Sequence, residues 1–195
     1  MAGRIEREKR IKQIMRRQGL LKREKQTPTA IRRKSRQIKQ KLFRMPEYRQ
    51  AKTVMFYAAK FGEVETGEMI KETLKKKKKA AVPKVKKTGL IPSELLDWAK
   101  DLKKGAFGIK EPMDEALRPL ALEKIDLVIV PGICFDIKKN RLGYGYGYYD
   151  CFLARLPKRA KLFGLAFELQ LVGGIPSFAN DKSLDKIITE KRVIE

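Results

Sequence analysis

The chain has 195 residues, 43% of them hydrophobic and 35% charged; 46 Lys and Arg against 23 Asp and Glu leave a formal net charge of +23, and there is no histidine. This balance excludes a disordered or fibrous chain and suits one domain, residues 1–195, with a sizeable core. The missing imidazole excludes Ser-His and Cys-His nucleophile pairs, His-ligated zinc and imidazole acid/base chemistry.

In chain order, residues 4–25 carry Ile5, Ile11, Ile14, Met15, Leu20 and Leu21 among charges and read as a helix. This segment lacks an apolar core, and Glu6, Glu8 and Glu24 argue against a transit peptide. Thr27-Pro28 supplies an N-cap and first position for a second helix with Ile31, Ile38 and Leu42 inward, closed by Pro46. The helices of residues 4–45 are expected on or beside an α/β core. Thr53 to Ala58 reads as a strand, Thr66 as the cap of a helix bearing Met69, Ile70 and Leu74, and Ala80 to Val85 as a strand whose pairing ends at Pro83. Ser93 to Lys104 reads as a helix stopping at Gly105, with Leu90 and Ile91 still strand. A strand at 126–130, a helix at 148–156, a strand from Leu162 to Phe167, a helix near Leu184 to Thr189 and a final Val193-Ile194 strand complete an α/β sandwich. No apolar run approaches the ~18 residues of a membrane span, so no membrane partner is expected. Cys134 and Cys151 are too few for a secreted disulfide framework, which points to the cytoplasm.

The segment DLVIVPGICFDIKKNRLGYGYGYYD, Asp126 to Asp150, holds most of the chemical information. Its apolar, β-branched start ends at Pro131-Gly132 and reads as a strand buried on both faces of a parallel sheet, beyond whose end ligands collect. Arg141 and the alternating Gly143, Gly145 and Gly147 follow, then Tyr148-Tyr149-Asp150 opens a helix. Glycines let backbone N–H groups turn toward an anion, and a helix N-terminus adds its dipole. The loop is neither a P-loop nor a dinucleotide fingerprint. Glycine alternation also suits a plain flexible turn, and the flanking arginine and aspartate tip the balance toward phosphate.

Without histidine, the remaining tools are cations, backbone dipoles, carboxylates and a hard metal, which suit phosphoryl transfer. The +23 charge fits polyanionic substrates, but it equally fits nucleic acid, helped by the run Lys75 to Lys79. The third option is a lysine-coated surface, favoured here because no nucleic-acid motif is present and the aromatics gather in the glycine loop.

PGICFD followed by NRLGYGYGYYD resembles the signature of the 5-formyltetrahydrofolate cyclo-ligase (methenyltetrahydrofolate synthetase) family, PGxxFDxxGxRLGxGxGYYD. KQIMR at Lys12 to Arg16, GEVET at Gly62 to Thr66, FGIKEP at Phe107 to Pro112 and ANDKSLD at Ala179 to Asp185 match in the right order, so the resemblance spans nearly the whole chain. It implies a three-layer α/β/α domain with a mostly parallel sheet, like the CoA-transferase and sugar-phosphate isomerase group. It also implies conversion of 5-formyltetrahydrofolate to 5,10-methenyltetrahydrofolate with ATP as co-substrate and Mg²⁺ as cofactor.

The resemblance carries Lys12 and Arg16 to the ATP phosphates; being four apart they share a helix face, which by itself also suits a solvated basic surface. Arg141, Leu142, Gly143, Tyr144, Gly145, Tyr146, Gly147, Tyr148 and Tyr149 match the ATP loop, with Arg141, Tyr148 and Asp150 as the catalytic set. Asp150 and Asp181 match magnesium ligands, as hard oxygen donors suit. Tyr57, Glu63, Phe107 and again Tyr148 match the folate subsite. Where the family carries Lys or Arg between the last two glycines this chain has Tyr146, leaving Arg141, Lys138 or Lys139 to compensate. A nucleotide- or folate-binding relative without turnover is therefore the alternative, beside a basic nucleic-acid-binding protein. The expected partners are the small-molecule substrates, with no specific nucleic acid and a monomeric state.

Overall fold

The structure, a computed structural model, describes residues 2–105, 108–178 and 181–195. Three helices lead: α1 (Ala2–Glu24), α2 (Pro28–Arg44) and α3 (Pro46–Gln50). α2 starts as its sequence dictates, with the Thr27 hydroxyl accepting from the Ala30 N–H at 3.2 Å and Pro28 in the first turn. Of the apolar residues of α1, Met15 and Leu20 pack inward beside Lys12, Gly19 and Arg23, whereas Ile5, Ile11, Ile14 and Leu21 are exposed.

There follow β1 (Thr53–Met55), α4 (Gly67–Lys75), β2 (Lys79–Lys86), β3 (Gly89–Leu95), β4 (Leu102–Lys104), β5 (Lys110–Pro112) and β6 (Leu127–Val130). The chain closes with β7 (Cys134–Asp136), β8 (Arg141–Leu142), α5 (Tyr148–Ala154), β9 (Lys161–Leu165), β10 (Leu171–Val172), β11 (Lys186–Ile188) and β12 (Val193–Ile194). Among the described residues the main sheet has seven strands in the order β12-β11-β9-β6-β1-β2-β3. Its five inner strands run parallel and only the two edges, β12 and β3, are antiparallel.

β6 sits at the centre, and its four residues alternate between two cores. Leu127 and Ile129 join Ile38, Leu42, Met69 and Ile70 under α2 and α4; Val128 and Val130 join Phe152 and Leu153 of α5 on the other face. Helices on both faces of a parallel sheet make the expected three layers. A smaller sheet, β10-β7-β8, packs under α1 through Ile133, Cys134 and Leu142. The approach is close at Gly19, where a Cβ would lie 2.7 Å from Cys134 Sγ and 2.7 Å from Ile133 Cγ2.

Several predicted elements need correction. The helix expected from Ser93 to Lys104 is absent: Ser93–Leu95 pairs with Val82–Ala80 in the β2–β3 ladder. The Asp101 carboxylate then accepts from the Leu96 and Asp97 N–H groups, turning the chain into β4. The helix expected at Leu184 to Thr189 is instead β11, paired parallel to β9 from Lys186↔Phe163 to Ile188↔Leu165. A run buried on both faces has no alternation to distinguish it from a helix. Pairing does not end at Pro83, which faces Pro92 in a ladder that continues to Lys86↔Gly89. β1 stops at Met55, three residues before Ala58. Thr66 occupies the α4 cap position without capping it; its hydroxyl donates to the Tyr57 carbonyl at 2.6 Å.

Candidate functional site

β1 and β6 end beside a cavity of about 380 Å³, the place where open α/β sheets hold ligands. Lys12, Arg16, Tyr57, Glu63, Arg141 through Asp150, and Asp181 all line it. They come from α1, the segment after β1, the β8–α5 loop and the segment before β11, so 170 residues of chain converge here. Phe107 lies outside the described residues.

One half of the cavity is cationic. Lys12 and Arg16 stand one turn apart on the inward face of α1. Lys12 Nζ donates to Asp181 Oδ2 at 2.9 Å and sits 4.1 Å from the Phe178 ring centroid. Arg16 Nε donates to the Gly143 carbonyl at 2.9 Å. Arg141 is buried on β8; its terminal nitrogen donates to Asp150 Oδ1 at 2.7 Å, and its buried Nε has no hydrogen-bond partner among the described residues. Burial pulls Arg141 below its ordinary pKa, opposed by the negative charges of Asp150 and Asp181. A site that strains a cation this way gains by admitting an anion.

The glycine loop is shaped for close approach. Gly145 has φ +99° and Gly147, the residue before α5, has φ +71°, both in the region that side chains avoid. A Cβ at Gly145 would also meet the Arg16 guanidinium at 3.3 Å. α5 has only 7 residues, so loop amides and the arginines must outweigh its dipole.

The two aspartates expected to hold a metal face the same cavity, each with one oxygen on a cation. Burial alone would raise Asp181, but the bonds from Lys12 and the Phe178 N–H outweigh it and keep the carboxyl below its usual range. Two carboxylates beside a phosphate-sized cationic pocket fit Mg²⁺, which keeps waters and takes one or two carboxylates plus phosphate oxygens. Among the described residues no three acidic or sulfur side chains cluster.

The other half is carboxylate and apolar. Glu63 is buried; its Oε2 accepts from the Lys60 N–H at 3.0 Å and its Oε1 from the Tyr144 hydroxyl at 3.1 Å. The Tyr57 hydroxyl donates to the Val64 carbonyl at 3.0 Å, leaving its ring to the cavity. Opposite stand Pro83, Val85, Leu90 and Ile109. β1 pairs with β2 only up to Ala81, so the rest of the β2–β3 hairpin overhangs the sheet and supplies this wall, joined by Ile109 from just before β5.

Arg23 escaped the sequence reading. It is 2% exposed, its Nε donates to the Gly62 carbonyl at 2.9 Å, and its terminal nitrogen lies 3.5 Å from Glu63 Oε1. Its spacing from Lys12 and Arg16 was the available signal, since all three share one helix face. Lys138 and Lys139 do not line the cavity as substitutes for the cation missing at Tyr146; they lie in the β7–β8 turn, while Lys60 and Lys110 do line it.

Comparison with known proteins places this arrangement. Residues 6–190 match the model of the 5-formyltetrahydrofolate cyclo-ligase family. The 5-formyltetrahydrofolate cyclo-ligase of Mus musculus is 29% identical over 168 residues, covering 81% of this chain and 83% of that protein. A probable 5-formyltetrahydrofolate cyclo-ligase of Schizosaccharomyces pombe is 30% identical over 164 residues, covering 77% and 80%. The NMR structure of the Aquifex aeolicus 5,10-methenyltetrahydrofolate synthetase superposes with a TM-score of 0.83 at 33% identity, over 94% of this chain and 91% of that one. The chain belongs to the 5-formyltetrahydrofolate cyclo-ligase family.

Proposed function

We propose that the chain acts as one catalytic domain that converts 5-formyltetrahydrofolate and ATP into 5,10-methenyltetrahydrofolate, ADP and phosphate. The observation that carries this reading is the two-sided cavity: Lys12, Arg16 and Arg141 with the glycine loop on one side, Glu63 and Tyr57 with the overhanging hairpin on the other. The cationic side suits a triphosphate and the carboxylate and apolar side suits a pterin, whose ring nitrogens donate and whose faces are flat and apolar.

The formyl oxygen attacks the γ-phosphate and ADP leaves, giving an iminium phosphate. N10 then closes the ring on the formyl carbon and loses its proton, and phosphate departs with the former formyl oxygen, able to carry that proton away. Lys12, Arg16 and Arg141 hold the phosphates in line and neutralise charge that builds on them, Glu63 fixes the pterin, and Tyr148 on the rim lies between the two substrates. Asp150 and Asp181 would hold Mg²⁺, which supplies charge neutralisation on the phosphate oxygens when bound. Folate carrying an isotopically labelled formyl oxygen tests the route: the label should appear in the released phosphate, and label released into water instead would refute phosphorylation at that oxygen.

The substrates are small molecules, and we propose a cytoplasmic monomer without a specific nucleic-acid partner. No helix among the described residues is long and apolar enough to cross a membrane. One observation favours a second reading, ligand binding without turnover: Tyr146 is 72% exposed where the family carries a cation.

A further inference from the structure

Tyr144 leaves the glycine loop and crosses to the opposite half of the cavity. Its hydroxyl donates to Glu63 Oε1, and the Lys60 ammonium sits 4.2 Å from its ring centroid. Burial, and then the Glu63 carboxylate, push the phenol up to about 12, so it remains a donor at neutral pH. With Lys60 N–H on Oε2, both oxygens of Glu63 are engaged by protein donors. Each oxygen keeps a lone pair, but Tyr144 also lines the cavity and reaches Oε1 there, so an incoming pterin competes with its hydroxyl for this carboxylate.

The two are not equally held. The Lys60 N–H belongs to the turn that carries Glu63 itself, and Arg23 clamps that turn through the Gly62 carbonyl. Tyr144 instead stands between two glycines: Gly143, with open space around its Cβ position, and Gly145, at φ +99°. The same short segment is tied at its back to Arg16, which donates to the Gly143 carbonyl. A phosphate that recruits Arg16 and the loop amides therefore releases the carbonyl next to Tyr144 and gives the loop reason to turn.

We propose that Tyr144 couples the two subsites: it covers Glu63 while the nucleotide side is empty, and engagement of the loop by a nucleoside triphosphate withdraws it, opening the carboxylate to the pterin. The proposal rests on the cyclo-ligase reading of the cavity. Tyr144 acts here through Glu63, as a positioning residue, and the coupling must be reciprocal, because each ligand changes the other's affinity by the same factor.

Calorimetric titration of the full chain with 5-formyltetrahydrofolate, alone and with the magnesium complex of a non-hydrolysable ATP analogue, tests this. The analogue should tighten folate binding on the order of tenfold, the worth of one hydrogen bond to a carboxylate, and folate should tighten the analogue equally. In Tyr144→Phe, which keeps the ring but not the hydroxyl, folate alone should bind about as tightly as it binds the nucleotide-loaded parent, and the coupling factor should fall to near one. A merely structural Tyr144 would instead weaken both ligands and leave the factor intact. Full coupling retained in Tyr144→Phe, or none in the parent, overturns the proposal. Glu63→Gln separates the levels: folate affinity unchanged in that variant overturns the subsite assignment, and the coupling with it, whereas folate affinity lost there with coupling intact in Tyr144→Phe refutes the coupling alone.

Discussion

Arg16 is the cleanest probe of the cationic half. It is half-buried, and among the described residues its side chain makes one hydrogen bond, to a loop carbonyl, so its removal strips no buried partner of its counter-charge. Arg16→Ala should raise the KM for ATP by roughly tenfold or more, the cost of one charge-assisted bond, with little change in the KM for folate. Steady-state kinetics with each substrate varied checks this. Asp150→Asn should slow turnover strongly, because it removes a carboxylate from the cationic half of the cavity, where the metal is proposed to sit. It also weakens the pair with Arg141, so its melting temperature must be measured beside its rate; an unchanged rate would take Asp150 out of the site. Asp150 was legible because its motif is long, and Arg16 because the short match KQIMR precedes that motif in the right order. Arg23 and the hairpin wall were not, since burial of an arginine and the overhang of one strand past its neighbour are properties of three-dimensional packing that a charged or alternating pattern does not announce.

At the scale of elements, two contacts position the site. The first is the meeting of α1 with β7 at Gly19. Gly19→Ala places a methyl 2.7 Å from Cys134 Sγ and from Ile133 Cγ2, an overpacked contact that should cost about 1–3 kcal/mol. Because Lys12 and Arg16 ride on the same helix, ATP binding should weaken along with stability, which thermal melting and nucleotide titration check together. The second is the junction before β6. Asp126 accepts from the N–H groups of Lys52 at 2.9 Å and Thr53 at 3.0 Å and from Arg159 at 2.7 Å. Burial alone would raise its carboxyl, but the Arg159 bond and the two N–H bonds outweigh it and hold it below the usual value. A lowered folded-state pKa contributes stability above the unfolded value of about 3.9 and loses it as pH falls through the folded value. Asp126→Asn should therefore lower the melting temperature at neutral pH by a few degrees, with the gap to the parent closing below about pH 4. α2 and β6 were readable from local chemistry, a capping threonine and a β-branched run. The end of β3, β4 and β11 were misread as helical because their pairing partners, β2, β5 and β9, decide their state and lie elsewhere in the chain.

For the whole molecule, the +23 charge is the feature that the cavity does not use up. Its lysines enter many local contacts: Lys39 and Glu72 pair at 2.9 Å, Lys78 caps the Arg49 and Ala51 carbonyls, and Lys186 bridges Glu47 and Glu195. Cations dispersed in this way give weak, sequence-independent attraction for polyanions, so DNA and RNA binding should be lost at moderate salt. Tight binding of a defined sequence at physiological salt would contradict that. The place of the cavity was implied by one buried parallel strand followed by a glycine loop, and the layers by the alternating elements and the family resemblance, so residues that line the cavity could be named from the sequence despite two misassigned helices. The account stands most directly on one assay: purified protein with 5-formyltetrahydrofolate, ATP and Mg²⁺, followed by the appearance of the methenyl chromophore. The chromophore should form only with both ATP and Mg²⁺ present, with one ADP released per folate converted. Chromophore formed without ATP, or none formed while both substrates bind, would contradict the cyclo-ligase reading.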